Sequence, residues 1–139
     1  MADNRNFHLK IISPTRIFYE QDAYMLEFCS TEGEMGIYAQ HVPTTVVLVP
    51  GIMRITDDQG EKKIAAVHGG FVEILKNRVT VMAEIAEWPE EIDFNRAHEA
   101  QIRAERRLAA KDSTINQARA EFALRKALIR QELSGRAKK

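Results

Sequence analysis

The chain has 139 residues, of which 45% are hydrophobic, and its 20 lysines and arginines balance 20 aspartates and glutamates. This length suits one domain with an appendage, and the balanced charge does not indicate a nucleic-acid-binding protein. The charge is unevenly placed, because residues 1–89 carry 8 basic against 12 acidic residues and residues 90–139 carry 12 against 8. That split predicts two units with different roles, at residues 1–88 and 89–139.

The sequence also carries signals about its compartment. The start "MADNRNFH" is polar, so we expect no secretory signal, and without a run of about 18 apolar residues we expect no membrane insertion. The single cysteine, Cys29, cannot form an internal disulfide and is expected to be a small buried hydrophobe. These features favour a soluble cytoplasmic protein.

Up to about Glu87 the sequence predicts short strands divided by turns. "FHLKIIS" alternates, "RIFYEQDAYMLEFCS" looks like two strands that part at Gln21-Asp22, and "TEGEMGI" looks like an acidic turn. A break at Pro50-Gly51 follows, then hairpin turns at "DDQG" and "KN", with "HGGF" as a turn before another strand. Eight or more strands at this spacing predict an antiparallel sandwich or flattened barrel.

After Pro89 the hydrophobic period becomes helical. The first helix is predicted from Asp93 to about Lys111, and its apolar face comprises Ala97, Ala100, Ala104 and Leu108. At "KDST", Asp112 or Ser113 is expected to cap a second helix that runs from Thr114 to about Leu133 and ends at Ser134-Gly135. The face expected for the second helix comprises Ile115, Ala118, Phe122, Ile129 and Leu133.

So short a link predicts that the two helices form an antiparallel hairpin. Its contact surface is largely alanine, which buries little apolar area. At about 25 cal/mol per Å², the contact therefore contributes little stabilising free energy. The conformational entropy lost on ordering roughly 40 residues exceeds the free energy that one small helix contact contributes. We therefore expect a movable element that leans on the sandwich or on a partner.

The sequence holds no recognisable catalytic constellation. Neither GxxxxGK[ST], GxGxxG nor GxSxG occurs, and Glu32 and Glu34 lie in an exposed turn without the apolar wall that a general acid needs. We expect no metal and no required cofactor. The four histidines share no metal-ligand spacing and are expected at the surface or at strand ends: His8, His41, His68 and His98.

Several short motifs follow one another in a distinctive order. "TEGEMGIYAQHVP", "PGIMRI", "GGFVEI", "NRVTVMAE" and "IDFNRA" precede an Ala/Arg-rich hairpin. From Phe7 to Leu133 the chain thereby resembles the epsilon subunits of bacterial F-type ATP synthases. The resemblance implies a ten-stranded β-sandwich and a two-helix domain, in a noncatalytic rotor subunit that couples proton or sodium flow to ATP synthesis. It also implies that the helices extend to inhibit ATP hydrolysis.

The resemblance implies partners as well: the gamma subunit, the ring of c subunits, and the alpha/beta catalytic head when the helices extend. Such a protein lies peripherally at the cytoplasmic face of the bacterial membrane. His41 matches the family histidine that faces gamma, although Gln40 stands where glycine is usual and Thr44 where leucine is usual. The acidic segment that matches the loop on the c ring comprises Glu32, Glu34, Met35 and Gly36.

"IDFNRA" resembles the I(L)DxxRA motif, through which some bacterial members bind ATP and keep the hairpin folded. ATP is therefore implied as a regulatory ligand. Lys126 stands where such members have arginine, and a lysine keeps the charge but loses the bidentate fork. The residues that match the ATP site are Glu87, Ile92, Asp93, Arg96, Ala97, Arg103, Lys126 and Arg130.

Helix geometry predicts the same grouping. A turn at Ser113 places Arg96 level with Arg130 and Lys126 level with Ala100. With Arg103, these cations form a band about 10 Å long, and an anion between them would favour the folded hairpin.

Two alternatives stay open. In the first, Asp93 only caps the helix, and Arg103 forms a surface pair with Glu99 while the other charges are solvated. In the second, the chain is a free-standing nucleotide-sensing module that uses the hairpin alone. A sandwich-fold enzyme ranks last.

Overall fold

The structure, a computed structural model, describes residues 5–110 and 114–137. The chain divides into two compact units, Met1–Ala86 and Glu87–Lys139, close to the predicted boundary. The described residues of the first unit form seven strands: β1 (Phe7–Ser13), β2 (Arg16–Ser30), β3 (Gly33–Tyr38), β4 (Thr44–Leu48), β5 (Gly51–Asp57), β6 (Lys62–Ile74) and β7 (Arg78–Glu87). The second unit contains a short 3-10 helix (Pro89–Glu91), α1 (Phe94–Ala110) and α2 (Thr114–Ala137).

Two long strands each take part in both layers of the sandwich. The first half of β2 pairs with β1, and its second half pairs with β3 and β5. Strand β6 pairs with β5 in its first half and with β4 in its second. The layers therefore run β2-β1-β7-β6-β4 and β3-β2-β5-β6. The pairing is antiparallel except between β1 and β7, which are parallel.

The predicted number of strands is too high because both long strands are continuous. Strand β2 passes through Gln21-Asp22, where two strands were predicted, and its register with β5 shifts between Ala23 and Met25. The described residues therefore form seven strands rather than about ten. The predicted hairpin at "DDQG" is confirmed, since the Asp57 Oδ1 accepts hydrogen bonds from the backbone N–H of Gln59 at 2.8 Å and of Glu61 at 2.9 Å.

Two adjacent glycines lie at the centre of β6. Gly69 and Gly70 have φ angles of +79° and +113°, and a Cβ on Gly70 would lie 2.0 Å from the carbonyl oxygen of Met82. Only glycine fits this approach between β6 and β7. The prediction of a turn at "HGGF" is wrong, because the segment lies inside one strand. The prediction that His68 lies at the surface or at a strand end is also wrong, since its side chain is buried.

The core lies between the two layers, where alternate side chains of the strands point inward. Leu9 and Ile11 of β1, Leu26 of β2, Ile55 of β5 and Val81 of β7 are fully buried. At about 25 cal/mol per Å² of apolar surface removed from water, this burial stabilises the sandwich. Cys29 is half-buried, less than predicted.

The two helices bury small residues against each other. On α1, Ala97 and Ala104 are buried, as predicted. On α2 the buried alanines are Ala120 and Ala127, whereas Phe122 is 41% exposed, so the predicted face is wrong at Phe122. Close packing of helices selects alanine over large side chains, which explains the difference.

The end predicted for the second helix is also wrong. The structure continues α2 through Ser134 and Gly135 to Ala137, although Leu133 is buried as predicted. The caps predicted at Asp112 and Ser113, and the side chain of Ile115, lie outside the described residues. No helix in the described part of the chain is long and apolar enough to cross a membrane.

Candidate functional site

A cleft of about 450 Å³ opens within the second unit, between the segment that enters α1 and the middle of α2. Seven of the eight residues that match the ATP site line it, and Lys126 does not. The lining consists of Glu87, Glu91, Ile92, Asp93, Arg96, Ala97, Glu99, Ala100, Arg103 and Arg130.

The entry to α1 is shaped by two local hydrogen bonds. The Oε1 of Glu91 accepts a hydrogen bond from the backbone N–H of Trp88 at 2.9 Å, which closes the 3-10 turn. The Oδ1 of Asp93 accepts one from the backbone N–H of Arg96 at 3.2 Å. This contact satisfies one of the free N–H groups in the first turn and makes Asp93 the N-cap. The cap predicted from the sequence is confirmed, and it brings Arg96 to the cleft.

An ion pair within the second unit joins Glu87, its first residue, to α2. The Nε of Arg130 donates to the Oε1 of Glu87 at 2.7 Å, and the two side chains are only 26% and 24% exposed. A charge-assisted hydrogen bond of this length is stronger than a neutral one. The pair uses one of the five N–H donors of the guanidinium, so four donors remain for another acceptor.

The charge of the cleft differs from the predicted band of cations. Three guanidiniums line it, from Arg96, Arg103 and Arg130. Four carboxylates line it as well, from Glu87, Glu91, Asp93 and Glu99. The cleft is therefore not the band of cations alone that the sequence predicts, because acidic groups in the same cleft compensate the basic ones.

Lys126 contributes to a different surface. Its Nζ lies 5.1 Å from the centroid of the Phe122 ring, in a cation–π arrangement. Residue numbers predict the height of a side chain along a hairpin but leave its angle around the helix open. Successive residues of a helix are rotated by about 100° around its axis, so a residue at the height of the cleft can still point away from it. The prediction that Lys126 joins the cleft is not met in this structure.

The sequence reasoning missed three lining residues: Glu91, Glu99 and Ala100. Glu99 follows Arg96 by three positions and precedes Arg103 by four, which places it on the same helix face. That spacing was a usable signal. Among the residues that the structure describes, no group of three or more His, Cys, Asp or Glu side chains has a geometry that could hold a metal ion.

The segment predicted to meet the c ring takes a different form from the predicted turn. Glu32 lies in the turn after β2, but Glu34, Met35 and Gly36 belong to β3 and pair with β2. Glu34 and Met35 line a groove of about 200 Å³ beside Gly36. Of the two acidic side chains, Glu32 therefore lies in a turn and Glu34 lies in a strand.

The segment around His41 has a defined shape. A ring nitrogen of His41, Nδ1, lies 2.7 Å from the carbonyl oxygen of Val42. Gln40 has a φ of +67°, a conformation that favours glycine, and its backbone N–H donates to the carbonyl of Lys76 at 2.9 Å. The loop therefore keeps a glycine-like backbone at Gln40 without a glycine.

Comparison with known families accounts for nearly the whole chain. Residues 6–89 match the ATP synthase delta/epsilon chain beta-sandwich domain, and residues 90–135 match the long alpha-helix domain of the same chain. The chain belongs to the ATP synthase delta/epsilon family. As an epsilon-type chain it is a subunit of ATP synthase and does not itself carry the catalysis.

Individual relatives cover the chain almost end to end. The ATP synthase epsilon chain of Caldanaerobacter subterraneus subsp. tengcongensis is 40% identical over 134 residues, which are 96% of each chain. The epsilon chain of Clostridium novyi is 40% identical over 129 residues, 93% of this chain and 98% of that one. The resemblance stated from the motifs is confirmed.

Solved structures share the fold. A chain in the OSCP/F1/c-ring assembly of the Euglena gracilis mitochondrial ATP synthase matches with a TM-score of 0.80 and 24% identity, over 96% of this chain and 82% of that chain. A chain in the central stalk and c ring of the Tetrahymena thermophila mitochondrial enzyme matches with a TM-score of 0.63 and 13% identity, over 94% and 98%. The predicted sandwich followed by two helices is thereby confirmed.

Proposed function

We propose that this chain is the epsilon subunit of the central stalk of an F-type ATP synthase, where it rotates with the gamma subunit on the c ring. Membership of the family, over both units, carries this proposal. The complex would place the chain peripherally, at the cytoplasmic face of the bacterial membrane. Its contacts would be His41 toward gamma and the acidic side chains of Glu32 and Glu34 toward the c ring.

The second part of the proposal is that the folded hairpin binds ATP in the cleft. Support comes from Arg96, Arg103 and Arg130, which line one cleft of about 450 Å³, a volume suited to a small-molecule ligand. Arginine presents several N–H donors to phosphate oxygens, and carboxylate oxygens are acceptors for the amino and hydroxyl groups of a nucleoside. Bound nucleotide would hold α1 and α2 together.

The third part is that release of the hairpin inhibits ATP hydrolysis. An extended α2 would present exposed basic residues, including Arg119 and Arg125, to acidic surfaces of the catalytic head. Removing residues 89–139 from the assembled enzyme should therefore raise ATP hydrolysis and leave the assembly intact. Unchanged hydrolysis in that truncated enzyme would contradict the inhibitory role.

A free-standing nucleotide sensor is the competing function, and one observation favours it. Every residue of the cleft belongs to the second unit, so ligand binding does not require the sandwich. Affinity capture with the cognate gamma subunit separates the two. The rotor function predicts capture that is lost when residues 1–88 are deleted. No capture of the full chain, together with a full ATP response from residues 87–139, would establish the sensor instead.

A further inference from the structure

The four carboxylates of the cleft differ in what they contact. Glu87 forms the 2.7 Å ion pair with α2, and Glu91 and Asp93 each accept a hydrogen bond from a backbone N–H, at 2.9 Å and 3.2 Å. These three acids therefore shape the entry to α1 and hold it to α2. The side chain of Glu99 takes part in no hydrogen bond or ion pair within residues 5–110 and 114–137, although it lines the same cleft.

Glu99 lies between two arginines on one face of α1. It follows Arg96 by three positions and precedes Arg103 by four, which are about 4.5 Å and 6 Å along the helix axis. All three side chains are exposed and line the cleft. Residues at these spacings are neighbours on a helix surface, and opposite charges there stabilise the helix. The spacings are also shorter than the Debye length of about 8 Å at physiological ionic strength, so salt screens the charges only in part.

The third arginine of the cleft is compensated by a different acid. Arg130 pairs with Glu87, which leaves Arg96 and Arg103 as the cations that Glu99 balances. An anion that reaches these two arginines must also approach the carboxylate of Glu99. The repulsion grows with the charge of the anion, because Coulomb energy is proportional to the product of the charges.

We propose that Glu99 is a counter-charge that sets how strongly the cleft holds a polyphosphate. In the empty cleft, it offsets the charge of Arg96 and Arg103 and thereby stabilises the folded hairpin. In the occupied cleft, it repels the phosphates and weakens their binding. The effect on the ligand rests on the proposed nucleotide site, whereas the effect on the empty hairpin does not.

The test uses Glu99→Gln, which removes the charge, and Glu99→Lys, which reverses it. Glutamate, glutamine and lysine have similar helix propensities, so differences within this series report charge. Hydrogen exchange of the backbone amides of α2 in the full chain without ligand should be about two- to fivefold faster in Glu99→Gln, the amount expected for two lost helix pairs. Exchange should be faster still in Glu99→Lys, and the differences should shrink as salt is added.

Calorimetry without magnesium measures the effect on the ligand. Glu99→Gln should bind ATP about two- to tenfold more tightly than the parent chain, and Glu99→Lys more tightly again. The gain should be smaller for ADP, which has one phosphate fewer. Glu121→Gln is the matched control, because Glu121 is an exposed acid of α2 outside the cleft lining, and it should leave ATP binding unchanged.

The outcomes separate this role from the proposed function. Weaker ATP binding by Glu99→Gln, or unchanged exchange in both Glu99 variants, would overturn the counter-charge. If the parent chain and both variants bound ATP equally, the nucleotide site would stand and the counter-charge would fail. If none of them bound ATP at millimolar concentration but exchange became faster from glutamate to glutamine to lysine, the nucleotide site would fail and the counter-charge of the empty hairpin would stand.

Discussion

The Nε of Arg130 on α2 donates to the Oε1 of Glu87 at 2.7 Å, across 43 residues of sequence. This ion pair ties the segment that leads into α1 to the far half of the hairpin. It is half-buried, so removing one partner leaves a charge with poor access to water. The cleft therefore depends on a contact that also holds the hairpin closed.

Arg130→Ala should destabilise the second unit by about 1–3 kcal/mol, because Glu87 loses a charged hydrogen-bond partner. Chemical denaturation followed by helical circular dichroism measures the change. Arg125→Ala provides the matched control, since Arg125 is an exposed arginine on the same helix, and it should change the stability by less than about 0.5 kcal/mol. Equal effects of the two variants would show that the ion pair contributes nothing.

Asp93 has two assigned roles that a pair of variants can separate. Asp93→Ala removes the cap and should cost about 1 kcal/mol of helix stability, whereas Asp93→Asn keeps a capping oxygen and should cost much less. If the negative charge also serves ligand binding, Asp93→Asn should weaken ATP binding while the helix stays stable. Normal ATP binding by Asp93→Asn would leave Asp93 as a cap alone.

Gly70 permits the close approach of β6 to β7. Gly70→Ala should cost about 3 kcal/mol or more, because φ is +113° and the added Cβ would lie 2.0 Å from the carbonyl oxygen of Met82. Gly135→Ala is the contrasting variant. Nothing lies within 4 Å of a Cβ at this helical glycine, so it should stabilise α2 by about 0.5–1 kcal/mol. Thermal unfolding of both variants checks the pair, and a stable Gly70→Ala would contradict the account of β6.

His8 lies between two carboxylates on the outer face of β1 and β2. Its Nε2 is 2.8 Å from the Oε2 of Glu20, and its Nδ1 is 3.3 Å from the Oδ1 of Asp22. The hydrogen bond with Glu20, followed by that with Asp22, raises the pKa of His8 above its ordinary value, and the same contact lowers the pKa of Glu20.

The pair therefore has a defined pH window. The contribution of His8 is complete below the pKa of an unfolded histidine and is lost as the pH rises through the raised pKa. The contribution of Glu20 is lost as the pH falls through its lowered pKa. An NMR titration should show Glu20→Gln moving the pKa of His8 down, with no change for the distant Glu73→Gln. A pKa of His8 that does not respond to Glu20→Gln would rule out this pairing.

The sequence predicted the order of the elements well where local chemistry determines them. The Pro50-Gly51 break, the turn at Asp57 and the cap at Asp93 all depend on backbone geometry that particular side chains impose. The continuity of β6 through Gly69 and Gly70 was not predictable in this way. Glycine pairs usually indicate turns, and only the neighbouring strand shows that these permit a close approach instead.

The positions of the site residues along the helix axes were predicted correctly, but their directions around the axes were predicted only in part. Residue spacing along the hairpin correctly brought Arg96, Arg103 and Arg130 to one cleft. It misplaced Lys126, because the face of α2 was inferred from large apolar residues such as Phe122 while alanines fill the contact. It also omitted two of the four acids, Glu91 and Glu99, although Glu99 stands at helical spacing from Arg96 and Arg103.

Calorimetric titration of the full chain with ATP tests the central claim most directly. The account predicts saturable binding that Arg96→Ala abolishes and that Arg106→Ala, at an exposed position of α1 outside the cleft lining, leaves intact. No binding at millimolar ATP, or the same affinity in Arg96→Ala as in the parent chain, would contradict it.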